Sequence, residues 1–343
     1  MEARESGWPL EATIAFPENH MTWRLRLTWA GLLGLVCSCG KESPIPTPPD
    51  CGGMRLLLYA SDRTQATGQY DIFIYDLEAQ GFRLLPGLNS ATLPDLNPTL
   101  TSDARVVAYE RTAGGTSSDI LLYNRCTGTM VPQPELNTVG NETDPAFSYD
   151  ALRLAFVRDT LGLRRVRLLH GPTDRLIPLP ALDTSGTYSD WAPAPDRTAS
   201  LIAFVSDRNG NPDVFVYDRA ADSLLDLPDL ISDSTDTDPW LTPDGFYLCL
   251  ASSRAGGAGG LDLLLYNLST RTFVTLDPGL NTDKAERHPA LNAAGDIIVF
   301  ESDRTGSKGK RDVWTHSRSS GQTSQGVEQS SVSDETQPFL LWP

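Results

Sequence analysis

Histidine is scarce in this chain, with four residues in 343, so imidazole-based metal centres and acid–base sites have little to draw on. No G-x-S-x-G stretch occurs, which leaves the strand–turn–helix elbow of a serine hydrolase without its nucleophile. Basic residues number 28 against 44 acidic ones, a formal charge of −16. That balance gives no general attraction for nucleic acid or an anionic lipid surface; cationic partners remain open. No internal segment is apolar for the ~18 residues that a membrane-spanning helix needs. Nor does any segment sustain a 3.6-residue apolar period, which argues against a helical domain. Apolar residues still make up 40% of the chain, enough for a sizeable core.

The N-terminal region has the organisation of an export signal. Arg24 and Arg26 form a basic start, LTWAGLLGLV (27–36) is a short apolar core, and Val36-Cys37-Ser38-Cys39 resembles the lipobox of bacterial lipoproteins. Cys39 is then the lipidated first residue of the mature chain. Cys37 fits less well, because bulky Val36 precedes it. An ordinary secretory signal with two incidental cysteines is the alternative. The signal fits a start at Met21, which makes residues 1–20 an upstream extension and 21–38 the signal peptide. Gly40 in place of aspartate favours the outer membrane, facing the periplasm, with the lipid as the sole membrane contact. Residues 39–53, rich in proline, read as a stiff tether.

From residue 54 onward the chain repeats itself. Proline recurs at 98, 145, 193, 239, 289 and 338, at spacings of 47, 48, 46, 50 and 49 residues. After each proline a short strand and a tight turn lead to an apolar run: VVAYE, RLAFV, LIAFV, YLCLA, IIVFE. A polar turn then leads to a second run such as DILLYN or DVFVYD, and a weaker last strand ends near phrases like LPGLN. Four short strands per unit of about 46–50 residues predict an all-β, six-bladed propeller of four-stranded antiparallel blades. The first repeat lacks an innermost strand, and the chain ends in ETQPFLLWP (335–343). These nine residues are expected to complete the first blade and close the ring. The polar segment 317–336 predicts that the sixth blade's outer strand is its weakest part.

The units resemble the TolB-like (WD40-like) propeller repeat, whose signature is P-x-x-S-P-D-G, an apolar strand, S-D-R-x-G and D-I-Y. TPDGFYLCLASSR and SDRNGNPDVFVYD carry the resemblance best; the third repeat, with VRDTLGLRRVRLLHG, carries it least. It spans residues 54–343 and implies a lipoprotein form without the N-terminal α/β domain of TolB. Propeller lyases of the oligogalacturonate type use a histidine-rich metal centre. Here His170, His288 and His316 fall in different repeats and at different blade positions.

SDRNGNPD (206–213) spaces oxygen ligands like the start of an EF-hand, but Pro212 and Asp218 stand where that loop needs glycine and glutamate. It reads as a hairpin, with Asn209-Gly210 in a type I′ turn. The acids near the prolines say more. Asp95, Glu142, Asp190, Asp236, Glu286 and Glu335 each lie three residues before one, and are expected to ring one mouth of the channel. Six arginines end the second strands: Arg63, Arg111, Arg158, Arg208, Arg254 and Arg304. Acid–arginine pairs stitching neighbouring blades are the structural reading of that ring. Asp144, Asp238 and His288, next to prolines and without an obvious counter-ion, are the candidate ligand-binding residues, with Asn97, Glu142 and Asp236 beside them. They suit a basic peptide, an amine or a calcium ion; no other cofactor is expected. The functional expectation is an envelope-anchored protein- or peptide-binding module and not an enzyme. A propeller enzyme with an unrecognised site, or a structural lipoprotein without a ligand, are the alternatives. Cys51 and Cys126 fall on the propeller face opposite the acids and are expected to form a disulfide. Cys249 sits in an apolar strand.

Overall fold

The computed structural model describes residues 13–14, 23–24, 55–63, 69–113, 117–254, 256–326 and 331–342. The chain forms two units, Met1–Thr47 and Pro48–Pro343. In the first, Thr13–Ile14 pairs antiparallel with Trp23–Arg24. Cys39, the apolar signal core and the tether lie outside the described residues.

Alternating apolar side chains build the second unit. Each apolar run, such as LLLYAS at Leu56–Ser61, is buried on both faces. Leu56, Leu58 and Ala60 pack with Val107 and Tyr109 of the next blade, while Leu57 and Tyr59 pack with Val299 and Val313 of the preceding one. A strand so placed reads as a continuous apolar run, because neither face meets water. The outcome is six four-stranded antiparallel sheets. Their innermost strands are Glu335–Leu341, Asp95–Leu100, Asn141–Phe147, Asp190–Pro195, Asp236–Leu241 and Glu286–Leu291. The C-terminal strand closes the first blade, in register from Glu335↔Ser61 to Leu341↔Leu56.

One local expectation needs correction. Between strands Leu201–Ser206 and Asp213–Asp218 the loop is six residues long, and there only Gly210 has positive φ (103°), so no type I′ turn forms. Its side chains and the flanking Asp213 are committed to the connections on either side. Asp207 accepts from the Ser189 N–H, Asp213 accepts from the Ser232 N–H, and Asn211 donates to the Ser232 and Ser234 carbonyls. The sixth blade's outer strand, Gln322–Gln325, is the shortest of its blade, with four residues against six in each of the other three. Polar contacts replace the missing apolar ones: Gln325 Nε2 donates to Asp312 and His316 Nδ1 lies 2.9 Å from Thr323 Oγ1.

The LPGLN-type phrases fall after the outer strands and have a separate task. Asn89, Asn137 and Asn281 each bond both the N–H and the C=O of one third-strand residue, Ile72, Ile120 and Leu263 respectively. A single amide side chain thereby satisfies a strand edge that the short outer strand leaves unpaired.

Candidate functional site

Every innermost strand carries the same irregularity. Its ladder shifts register between the second and fifth residue of a stretch such as Asp95–Thr99, and the residue before the proline takes left-handed φ. The six values are 49° at Asn97, 50° at Asp144, 49° at Ala192, 53° at Asp238, 46° at His288 and 54° at Gln337. Proline has no N–H to lose from the ladder, so a bulge is where a strand can hold it. The bulge turns the preceding side chain toward the axis. Six such side chains, one per blade, therefore meet in the channel, where all six line a cavity of about 330 Å³.

The cavity runs from this ring along the inner strands to the first turns, where Ser102, Tyr149, Pro243, Ala293 and Trp342 form its rim. Its mouth thus lies on the face opposite the one expected. Trp191, Phe147, Trp240, Leu291 and Phe339 make the walls apolar. Arg55, where the described propeller begins, stacks over Trp342 at 4.7 Å, so the chain enters the propeller at this rim.

The ring side chains bond one another. Gln337 Oε1 accepts from the Asn97 N–H at 2.9 Å, and Asn97 Nδ2 reaches Asp144 Oδ1 at 3.3 Å. Asp144 Oδ2 accepts from the Ala192 N–H at 3.0 Å, and Asp238 Oδ2 from the His288 N–H at 3.2 Å. Two carboxylates behind the ring complete it. Glu110 accepts from the Asp144 N–H and from Asn97 Nδ2. Glu301 accepts from the Gln337 N–H and the Thr336 hydroxyl, and pairs with His288 Nδ1 at 3.2 Å and with Arg311 at 3.1 Å.

These contacts set the charges. Burial, then the nearby Asp144 carboxylate, raise the Glu110 pKa to about 8. Asp144 is raised as well, by burial and by Asp238. Burial alone would lower the His288 pKa, but Asp238 and Glu301 outweigh it and bring it to about 9. Burial likewise opposes ionisation of Glu301, yet His288 and Arg311 hold it at about 2. His288 thus supplies Asp238, 3.7 Å away, with a cation that sequence reasoning did not see.

The expected acid ring sits behind the cavity, not at its mouth. Asp95, Glu142, Asp190, Asp236, Glu286 and Glu335 are all 0% exposed. Each pairs with an arginine, and the pairs lie within a blade: Arg111 with Asp95 at 2.7 Å, Arg158 with Glu142 at 2.7 Å, Arg208 with Asp190 at 2.8 Å. Arg254–Asp236, Arg304–Glu286 and Arg63–Glu335 follow the same rule. The link between blades is a different bond. Arg111 donates to the Leu88 carbonyl, Arg254 to Leu230 and Arg304 to Leu280, in the loops arriving from the preceding blade. Glu142 and Asp236, expected beside the ligand, therefore belong to this framework. Asn97, Asp144, Asp238 and His288 do come together.

Glu110 and Glu301 were missed. Their signal was the last letter of VVAYE and IIVFE, where the other copies have Val157, Val205 and Ala251. His170 and His316 lie elsewhere, on third strands of the third and sixth blades. Among the described residues, no group of three or more His, Cys, Asp or Glu side chains is arranged to hold a metal ion.

No protein-family model matches the sequence, and no curated protein does. Solved structures match the fold. TolB from Acinetobacter baumannii is 19% identical with a TM-score of 0.65, over 84% of this chain and 67% of that one. A putative TolB from Agrobacterium tumefaciens is 14% identical with a TM-score of 0.57, over 85% of this chain and 100% of that one. An oligogalacturonate lyase in complex with manganese is 13% identical with a TM-score of 0.53, over 79% and 73%. The propeller is TolB-like in fold.

Proposed function

We propose that this chain is an envelope-tethered binding module that docks a positively charged protein or peptide segment in its central cavity. The observation that carries the reading is the cavity itself: about 330 Å³, apolar and aromatic in its walls, with the carboxylates of Asp144 and Asp238 at its floor. A pocket with a few convergent polar groups in an apolar lining is the usual form of a ligand site. The repeated left-handed bulge supports it too. Each non-glycine residue held there is strained by roughly 1–2 kcal/mol, and strain of this kind persists where it positions functional side chains. Arg55 beside Trp342 puts the first described residue of the propeller on the face where the cavity opens.

Fold likeness does not choose between binding and catalysis, since a lyase shares the propeller. The test is therefore on the cavity. A photo-crosslinker at the rim should capture specific envelope proteins in native membranes. Filling the rim by Ser102→Trp with Ala293→Trp should abolish that capture while the melting temperature stays within a few degrees. Unchanged capture by the filled variant would remove the cavity from consideration.

A further inference from the structure

One position of the ring breaks its pattern. Five blades present a polar side chain at the bulge; the fourth presents the methyl group of Ala192. Hydrogen bonds and ion pairs run without interruption from Asp238 through His288, Glu301, Gln337 and Asn97 to Asp144, and end at the Ala192 N–H. Nothing from the fourth blade reaches on to Asp238. The floor therefore has a notch, flanked by the carboxylates of Asp144 and Asp238 and with Trp191 beside it, all lining the same cavity.

We propose that the Ala192 notch is a subsite for a primary ammonium group carried on an aliphatic chain, such as a lysine side chain or the amino terminus of a docked segment. This rests on the binding reading above and names the chemistry at its deepest point. The geometry favours an ammonium for three reasons. Two carboxylates from different blades face a gap where the fourth blade's own side chain, the Ala192 methyl group, offers no donor, so a guest with several N–H donors can complete the broken ring. Apolar walls above the floor suit methylene groups and exclude water, which strengthens the contact. The resident cations are already engaged: His288 between Asp238 and Glu301, Arg311 on Glu301, and Arg164 stacked over Trp191 at 4.2 Å. With Glu110 holding its proton near neutral pH, the remaining negative charge is that of Asp144, which Arg164 offsets only through space.

The decisive variant is Ala192→Asn. Asparagine tolerates left-handed φ better than alanine, so the fold should keep or gain thermal stability while the new amide closes the ring. Titration calorimetry of the full chain at low salt would use three probes. One is a tripeptide with a central lysine and both ends capped, one the same peptide with the lysine acetylated, and one a tripeptide of alanines with a free amino terminus. The expected result is binding of the lysine probe or the free-amine probe, at least tenfold weaker binding of the acetylated one, and at least tenfold loss in Ala192→Asn and in Asp144→Asn with Asp238→Asn. Which amine binds tells a side chain from a terminus. Equal binding by wild type and Ala192→Asn, equal binding of the acetylated probe, or no binding of any probe would overturn the proposal. If the rim-filled variant still blocks partner capture in that case, the cavity remains a docking site and only the ammonium subsite fails.

Discussion

Glu110 shows how much one side chain can shift the behaviour of the ring. Its folded pKa, about 8 against an ordinary 4.5, means the folded state holds a proton that the unfolded chain releases. That contribution is present below pH 4.5 and is lost as the pH rises through about 8. Glu110→Gln keeps an acceptor for the Asp144 N–H without the charge. It should match wild type near pH 5 and exceed it near pH 9 by roughly 1–3 kcal/mol, the scale of one buried polar mismatch, as read from urea unfolding at each pH. His288 works in the same direction for another reason. Its pKa rises from 6.5 to about 9, so its stabilisation is complete below pH 6.5 and lost as the pH rises through about 9. His288→Asn, which suits the left-handed backbone, should be less stable than wild type near pH 6, with the difference vanishing near pH 10. The framework arginines answer to burial instead. Removing Arg254 leaves Asp236, 0% exposed, without its cation, so Arg254→Met should lose about 3–5 kcal/mol in the same unfolding assay.

Among the elements, the closing strand carries the largest consequence. Glu335–Leu341 pairs with Leu56–Ser61 and buries Leu340 and Leu341 to 3% and 2% exposure. Leu341→Ala should cost about 2–5 kcal/mol by cavity formation. Deleting 335–343 should cost more, because it also leaves the inner edge of Leu56–Ser61 unpaired. Unchanged thermal melting in the truncation would contradict ring closure as a source of stability. The closing strand was legible because ETQPFLLWP repeats the proline sentence with nothing after it. The bulge was not, although every proline that marks it was visible. A proline in a strand interior says that the ladder is interrupted; it does not say toward which side the preceding side chain turns.

For the whole molecule, the cysteines bear on how the tether could be joined to the ring. Cys126 is disulfide-bonded, while Cys249 is free and buried, its thiol pushed up to about 12 by burial. The partner of Cys126 therefore lies outside the described residues, and Cys51 is the proposed one. Peptide mapping without reductant should recover a Cys51–Cys126 peptide from the exported chain, and reduction should lower stability by about 2–4 kcal/mol. Both cysteines free to react after export would reject the pairing. Such a bridge would hold the tether on the face where the cavity opens, because Cys126 follows a third strand that ends there.

Period, strand number, blade count and the identity of the closing strand were determined by the sequence alone. They follow from local rules: alternation along a strand, turn residues between strands, and repetition at a fixed spacing. The six acids and six arginines were likewise visible as partners. What only the tertiary structure decided was direction and neighbourhood. Each acid turns back onto its own blade, because its arginine sits at the cross-strand position or two residues beyond the serine that does. The cavity opens away from those acids, because the bulge places its polar ring two residues further along each strand. Glu110, Glu301 and the gap at Ala192 became meaningful once six distant segments were brought round one axis. No local pattern encodes that convergence, since the residues that meet there are about 47 positions apart in the chain.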